Sequence, residues 1–124
     1  MLFRSDKVGL VTFNSNAVVQ VGLTPNHQLV VDKLTTGLGT PSGLTNLKAA
    51  FDSSNAILQK EKASYNKMVI LFTDGYPTSP SAYGIDSAQL NYINNNLHVP
   101  QMYNIQYFTV SYGTNTPKIG RAHV

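Results

Sequence analysis

Residues Met68–Pro77 read MVILFTDGYP: five apolar residues, then a threonine, a lone aspartate, a glycine, a tyrosine and a proline. A continuous apolar run of this length has the pattern of a strand buried on both faces of a parallel sheet, and it is too short for a core helix. The aspartate is the anomaly. A carboxylate directly after such a strand requires a cation, a cage of hydrogen-bond donors or water, because unpaired burial would shift it toward its neutral form. In open α/β sheets, ligands bind outside the carboxyl ends of the strands, which is where Asp74 falls. A plainer reading stays open, in which Asp74 and Gly75 form a tight turn and the carboxylate bonds nearby backbone.

The flanking sequence predicts the rest of the layer. Val8–Phe13 (VGLVTF) and Ala17–Val21 (AVVQV) are rich in β-branched residues and separated by Asn14-Ser15-Asn16, so they read as an antiparallel hairpin. The segment HQLVVDKL spaces Leu29, Val30, Lys33 and Leu34 as a short amphipathic helix, with Thr24 or Asn26 as its cap. A glycine-rich loop, TTGLGTPSGLTN, follows. Leu47, Ala50, Phe51, Ser54, Ile57 and Leu58 then keep helical spacing to about Lys62. Beyond the Met68–Phe72 strand, Ile85, Ala88, Tyr92, Ile93 and Leu97 share one helical face that His98-Val99-Pro100 ends, and Ile105–Tyr112 reads as a second strand. The order hairpin, helix, helix, strand, helix, strand predicts an α/β fold: a doubly wound, mostly parallel sheet with one antiparallel hairpin strand.

With 124 residues, 42% hydrophobic and 12% charged, the chain suits one globular domain. No apolar run approaches the roughly 20 residues of a membrane span. The absence of cysteine excludes a disulfide framework and thiolate metal sites and leaves the compartment open. A sequence pI of 9.2 would ordinarily point to nucleic acid. The two ends remove that inference. Met1–Ser5 (MLFRS), read from a GTG start, can be encoded GTGCTCTTCCGATCT, and the KIGRAHV tail can be encoded by a string containing its reverse complement, AGATCGGAAGAGCAC. These strings resemble a widely used sequencing-library adapter. On that reading residues 1–5 and 118–124 are adapter-derived scars, and the domain occupies residues 6–117. Without Arg4, Lys118 and Arg121, six basic residues face six acidic ones. The seven tyrosines also lack the basic interleaving of a nucleic-acid surface.

Thr45, in Gly43-Leu44-Thr45-Asn46, is the second candidate for chemistry. As the N-cap of the following helix its hydroxyl would accept from first-turn amides; if Asn46 caps instead, Thr45 can turn toward the sheet's edge and Asp74. A hydroxyl and a carboxylate are hard oxygen ligands suited to Mg²⁺ or Mn²⁺, although two are too few for an octahedral ion held by protein alone. Other chemistries fit less well. The glycines of Gly37–Gly43 follow a helix, and Leu44 stands where a phosphate-binding loop needs lysine. Ser79, Ser81 and His98 lack a nucleophile-elbow setting, and His27 and His98 are not spaced as a zinc pair.

GLVTFNSNAV, GLTNL and MVILFTDGYPT together resemble a von Willebrand factor type A domain, over nearly all of residues 6–113. The resemblance implies a binding module and not an enzyme. In that family a divalent cation, usually Mg²⁺, sits at a metal-ion-dependent adhesion site built from three loops. Thr45 matches the threonine of the second loop and Asp74 the aspartate of the third. The D-x-S-x-S of the first loop is absent, and Asp52-Ser53-Ser54 has the wrong spacing and place. Family order puts the first strand, its D-x-S-x-S loop and the first helix ahead of Asp6, with that strand between Val8–Phe13 and Met68–Phe72. The implied function is adhesion or protein–protein interaction in a longer parent, with a partner's acidic residue completing the metal's coordination. The alternative is a metal-free scaffold domain of a secreted, pilus-associated or matrix protein. The resemblance favours an extracellular or cell-surface setting. Tyr76 and Tyr83, in the loop YPTSPSAYG, are candidate ligand-contacting residues, although that loop also reads as a linker. Lacking a central strand, the chain as written is expected to bind metal weakly or not at all, and to fold or dissolve poorly.

Overall fold

A computed structural model describes residues 6–39, 43–73, 87–111 and 122–123. The hairpin forms as expected, with β1 (Val8–Phe13) antiparallel to β2 (Ala17–Thr24) and Phe13 paired with Ala17 across the turn. Asn14 closes that turn, its side chain accepting from the Asn16 amide at 3.1 Å. Helix α1 (Gln28–Thr36) follows and stops at Gly37, whose φ of 110° suits glycine and whose amide donates to the Lys33 carbonyl. Neither expected cap holds it. His27 occupies the N-cap position without a side-chain bond to the helix, its ring bonding the Asp6 carbonyl instead, and Thr24 accepts from the Asn26 amide before the helix begins. Leu29 and Leu34 of this helix are exposed, so the predicted apolar stripe meets little of the described fold.

Helix α2 (Leu47–Gln59) is the centre of the molecule. Its Leu47, Ala50 and Phe51 are buried with Ile93, Ile105 and Tyr107, and Phe13, Val69 and Leu71 pack around them. Each fully buried large side chain of this kind contributes about 1.5–3 kcal/mol. The direction of α2 is fixed at both ends. Lys7, just before β1, pairs with Glu61, just after α2, while Asn14, just after β1, accepts from the Asn46 amide just before α2. The helix therefore runs antiparallel to β1.

A short connection leads from α2 into β3 (Lys67–Thr73), which pairs in parallel register with β4 (Ile105–Ser111), Val69 opposite Tyr107. Between these strands lie α3 (Ser87–Asn95) and α4 (His98–Met102). The expectation that His98-Val99-Pro100 ends the helix is half right. The chain breaks after Asn95 but restarts at once, because Pro100 falls in the first turn of α4, where its missing amide costs no helical bond. Asn104 then turns the chain into β4 with φ 61°, and its side-chain amide donates to the Tyr65 carbonyl and to Asn66. A two-residue β5 (Ala122–His123) lies parallel to β4.

The fold class is thus α/β, with a parallel sheet and an antiparallel hairpin, and among the described residues the strands form two separate sheets, β1-β2 and β3-β4-β5. One expectation changes. The Met68–Phe72 run was read as buried on both faces, yet Val69 and Leu71 pack toward α2 while Met68, Ile70 and Phe72 are 56%, 52% and 57% exposed. No described helix covers that second face.

Candidate functional site

Loop–helix bonding positions the predicted site. Asn46, not Thr45, caps α2: its Oδ1 accepts from the Ala49 amide at 3.0 Å, and its Nδ2 donates to the Ser15 carbonyl at 3.0 Å. Two further contacts tie the same loop to the hairpin turn. The Leu44 amide donates to Ser15 Oγ at 3.1 Å, and the Asn46 amide donates to the Asn14 carbonyl at 2.7 Å. Gly43 is held so closely there, at φ +82°, that an added Cβ would lie 2.9 Å from Ser15 Oγ. At the other flank the Lys48 amide donates to Gln89 Oε1 at 3.1 Å, which joins the start of α2 to the start of α3.

These bonds define one edge of the molecule. Strand β1 ends there and α2 begins there. The short return from α2 makes β3 run back toward the same edge, and the chain after β3 leads into the start of α3. Thr45 is half-buried in the loop over that edge, and Thr73, the last residue of β3, is buried. Asp74, Tyr76 and Tyr83 lie outside the described residues, so of the four predicted site residues Thr45 alone has a described position.

Hydroxyl oxygens near a strand's carboxyl end have the hardness that a small divalent cation prefers. Two such residues, Thr45 and Thr73, stand on the segments that reach this edge. Among the described residues, no three His, Cys, Asp or Glu side chains assemble a metal cluster. No described helix is long and apolar enough to cross a membrane.

A second polar cluster, away from the hairpin turn, escaped the sequence reading. Asp52 accepts from Lys48 Nζ at 2.9 Å and from the Tyr92 hydroxyl at 3.1 Å, while Lys48 Nζ sits 4.4 Å from the centre of the Tyr92 ring. The hydrogen bond to Asp52 raises the Lys48 ammonium above its ordinary value. Burial, then the bond to Asp52, raises Tyr92. The i, i+4 spacing of Lys48 and Asp52 was the available signal. Beside this cluster, Asp52, Asn55, Gln59, Tyr92 and Asn96 line an open groove of about 210 Å³.

The von Willebrand factor type A domain family matches residues 2–77. The match takes in the hairpin, both helices that follow and β3, and its range includes Asp74. No curated protein matches the chain. With the matching family spanning more than half its length, and a parallel sheet, an antiparallel hairpin and helices in the described fold, this chain belongs to the von Willebrand factor type A domain family.

Proposed function

We propose that the parent protein is a binding module that recognises a protein ligand through a divalent cation, Mg²⁺ or Mn²⁺. The Thr45 hydroxyl and the Asp74 carboxylate hold one side of the ion, and an Asp/Ser loop ahead of Asp6 holds most of the rest. A partner's acidic side chain takes the remaining position. The ion supplies a concentrated positive charge to which a carboxylate can bind directly, and the protein's part is to fix the open position toward the partner. Binding, and not catalysis, is the activity.

The observation that supports this reading is the cap: Asn46 fills the role Thr45 would otherwise take, in a loop bonded to the edge toward which β3 runs before Asp74. Calorimetric titration tests it in two steps. With Mg²⁺ or Mn²⁺ the present chain should give no specific site, whereas a chain extended upstream through D-x-S-x-S should bind, and Thr45→Ala or Asp74→Asn should each weaken that binding at least about tenfold. Ligand binding by the extended protein that survives EDTA unchanged would favour a metal-free scaffold and remove this proposal.

A further inference from the structure

Two rows of polar side chains line the groove between α2 and α3. On α2, Asp52, Asn55 and Gln59 stand at i, i+3 and i+7 and so share one face. Across from them are Tyr92 of α3 and Asn96, just past that helix's end. The groove's polar wall reaches toward the carboxyl end of α2, away from Asn46 and Thr45.

Asn55 is 6% exposed, yet its amide is only half met. Its Oδ1 accepts from the Tyr107 hydroxyl at 2.6 Å, and among the described residues no acceptor meets its Nδ2. Turning the amide over exchanges the two atoms and still leaves one unmet. A buried amide group needs a partner, and the groove that Asn55 lines is where one can come from. Gln59 makes no hydrogen bond among the described residues. Asn96 donates through its Nδ2 to the Tyr92 carbonyl at 2.8 Å, which leaves its Oδ1 open. Charge, by contrast, is already balanced: Asp52 accepts from Lys48 Nζ and from the Tyr92 hydroxyl.

We propose that this groove binds one ring of an uncharged sugar. Primary amides and sugar hydroxyls both donate and accept, so Asn55, Gln59 and Asn96 can each meet a hydroxyl in either sense. Those hydroxyls reproduce the hydrogen bonds of the waters they displace. Ala56 and Val99 offer apolar contact to the ring's C–H groups. A volume of about 210 Å³ is below the roughly 300 Å³ at which pockets for drug-sized guests begin, which limits the guest to a single ring. An extended peptide needs a longer channel, because it presents its donors and acceptors strung along a strand. The groove's open side lets a glycan continue outward. This site does not depend on the metal reading.

The test is saturation-transfer-difference NMR on the dilute full chain in EDTA. The probes are the methyl pyranosides of glucose, galactose, mannose and N-acetylglucosamine, a trisaccharide ending in each ring, and acetyl-triglycine-amide as the peptide. At least one pyranoside should show saturable transfer, with a Kd of about 1–10 mM for a single ring. Gln59→Ala should weaken it about tenfold at unchanged far-ultraviolet dichroism. Asn55→Leu should abolish it, and the half-buried Gln59 keeps the test sound if the leucine variant misfolds. A trisaccharide that binds more tightly than its ring identifies a glycan as the source, and equal affinity identifies a free sugar; both support the site. No saturable transfer from any sugar would leave the groove to water and overturn the proposal. Binding that Gln59→Ala leaves unchanged would overturn it as well, and so would a peptide that competes as well as the sugar.

Discussion

The Tyr107 hydroxyl on β4 donates to the Asn55 side chain on α2 across 2.6 Å, and both residues are buried. This bond fastens the parallel sheet to the helix that also holds the hairpin. Removing one member leaves the other's polar atom buried and unmatched, which typically costs about 1–3 kcal/mol. Tyr107→Phe should lower the unfolding free energy by that amount, read as a lower urea midpoint at an unaltered denaturant slope. Adding Asn55→Leu should recover part of the loss, because both polar groups are then gone. A single mutant as stable as the parent would mean that water already satisfies the site.

The same tyrosine sets an alkaline limit. Burial raises the Tyr107 phenol well above the ordinary tyrosine value of 10.0, with a smaller contribution from the Asp52 charge. The folded chain keeps this proton where the unfolded chain has lost it. The associated stability is complete below pH 10 and declines as the pH rises from there toward the folded value. Tyrosinate absorbance during alkaline titration should show a late-titrating fraction that Tyr107→Phe diminishes. Stability that is flat from about pH 9 to about pH 11 would contradict this assignment.

Loss of the α2 cap should be felt in two places. Asn46→Ala removes the acceptor for the Ala49 amide and the donor to the Ser15 carbonyl, and should cost about 1 kcal/mol or somewhat more. Asn46→Asp keeps the acceptor and loses the donor. Thermal melts should rank the asparagine first, the aspartate second and the alanine last.

Gly43→Ala tests how closely the loop bearing Thr45 is fitted to the hairpin. The substitution places a Cβ 2.9 Å from Ser15 Oγ and keeps φ at +82°, so about 1–2 kcal/mol of destabilisation is expected. Adding Ser15→Gly should relieve the clash and leave the backbone strain. Denaturation midpoints of the single and double mutants separate the two terms.

On the face of β3 that no described helix covers, Ile70→Lys should raise the soluble fraction after centrifugation while leaving far-ultraviolet dichroism unchanged. Ile70 is 52% exposed in a strand whose Met68 and Phe72 are exposed beside it. A charge there interrupts an apolar, strand-forming stretch. An insoluble Lys variant would place the aggregating surface elsewhere.

Elements with a strong period or a single turn chemistry were legible in the sequence. The VGLVTF–AVVQV hairpin, the Leu47–Leu58 helix and the MVILF strand all lie where their patterns put them. The break at Asn95 was legible, but the restart across Pro100 was not, because proline excludes helix only beyond the first turn. Exposure on one side of β3 was also hidden. Apolar content says that a strand can be buried on both faces and not whether the chain brings enough helices to bury it. At the candidate site, sequence statistics favoured Thr45 as the cap with Asn46 as the alternative, and the cap is Asn46, whose side chain also bonds the Ser15 carbonyl, a tertiary contact that no local pattern encodes. The Lys48–Asp52–Tyr92 cluster needed two helices to meet, which no local pattern encodes.

The path of α2 between the two sheets also orders events in time. The β1-β2 hairpin closes through a three-residue turn, an event of about 1–10 µs, whereas β3 must wait for β4 across two intervening helices. On this ordering α2 is expected to dock first on the hairpin, with the parallel pair condensing later on its other flank. Substitutions at Phe51 or Asn55 should therefore slow refolding, while those at the Asn46–Ser15 contact should act on a step completed before the rate-limiting one.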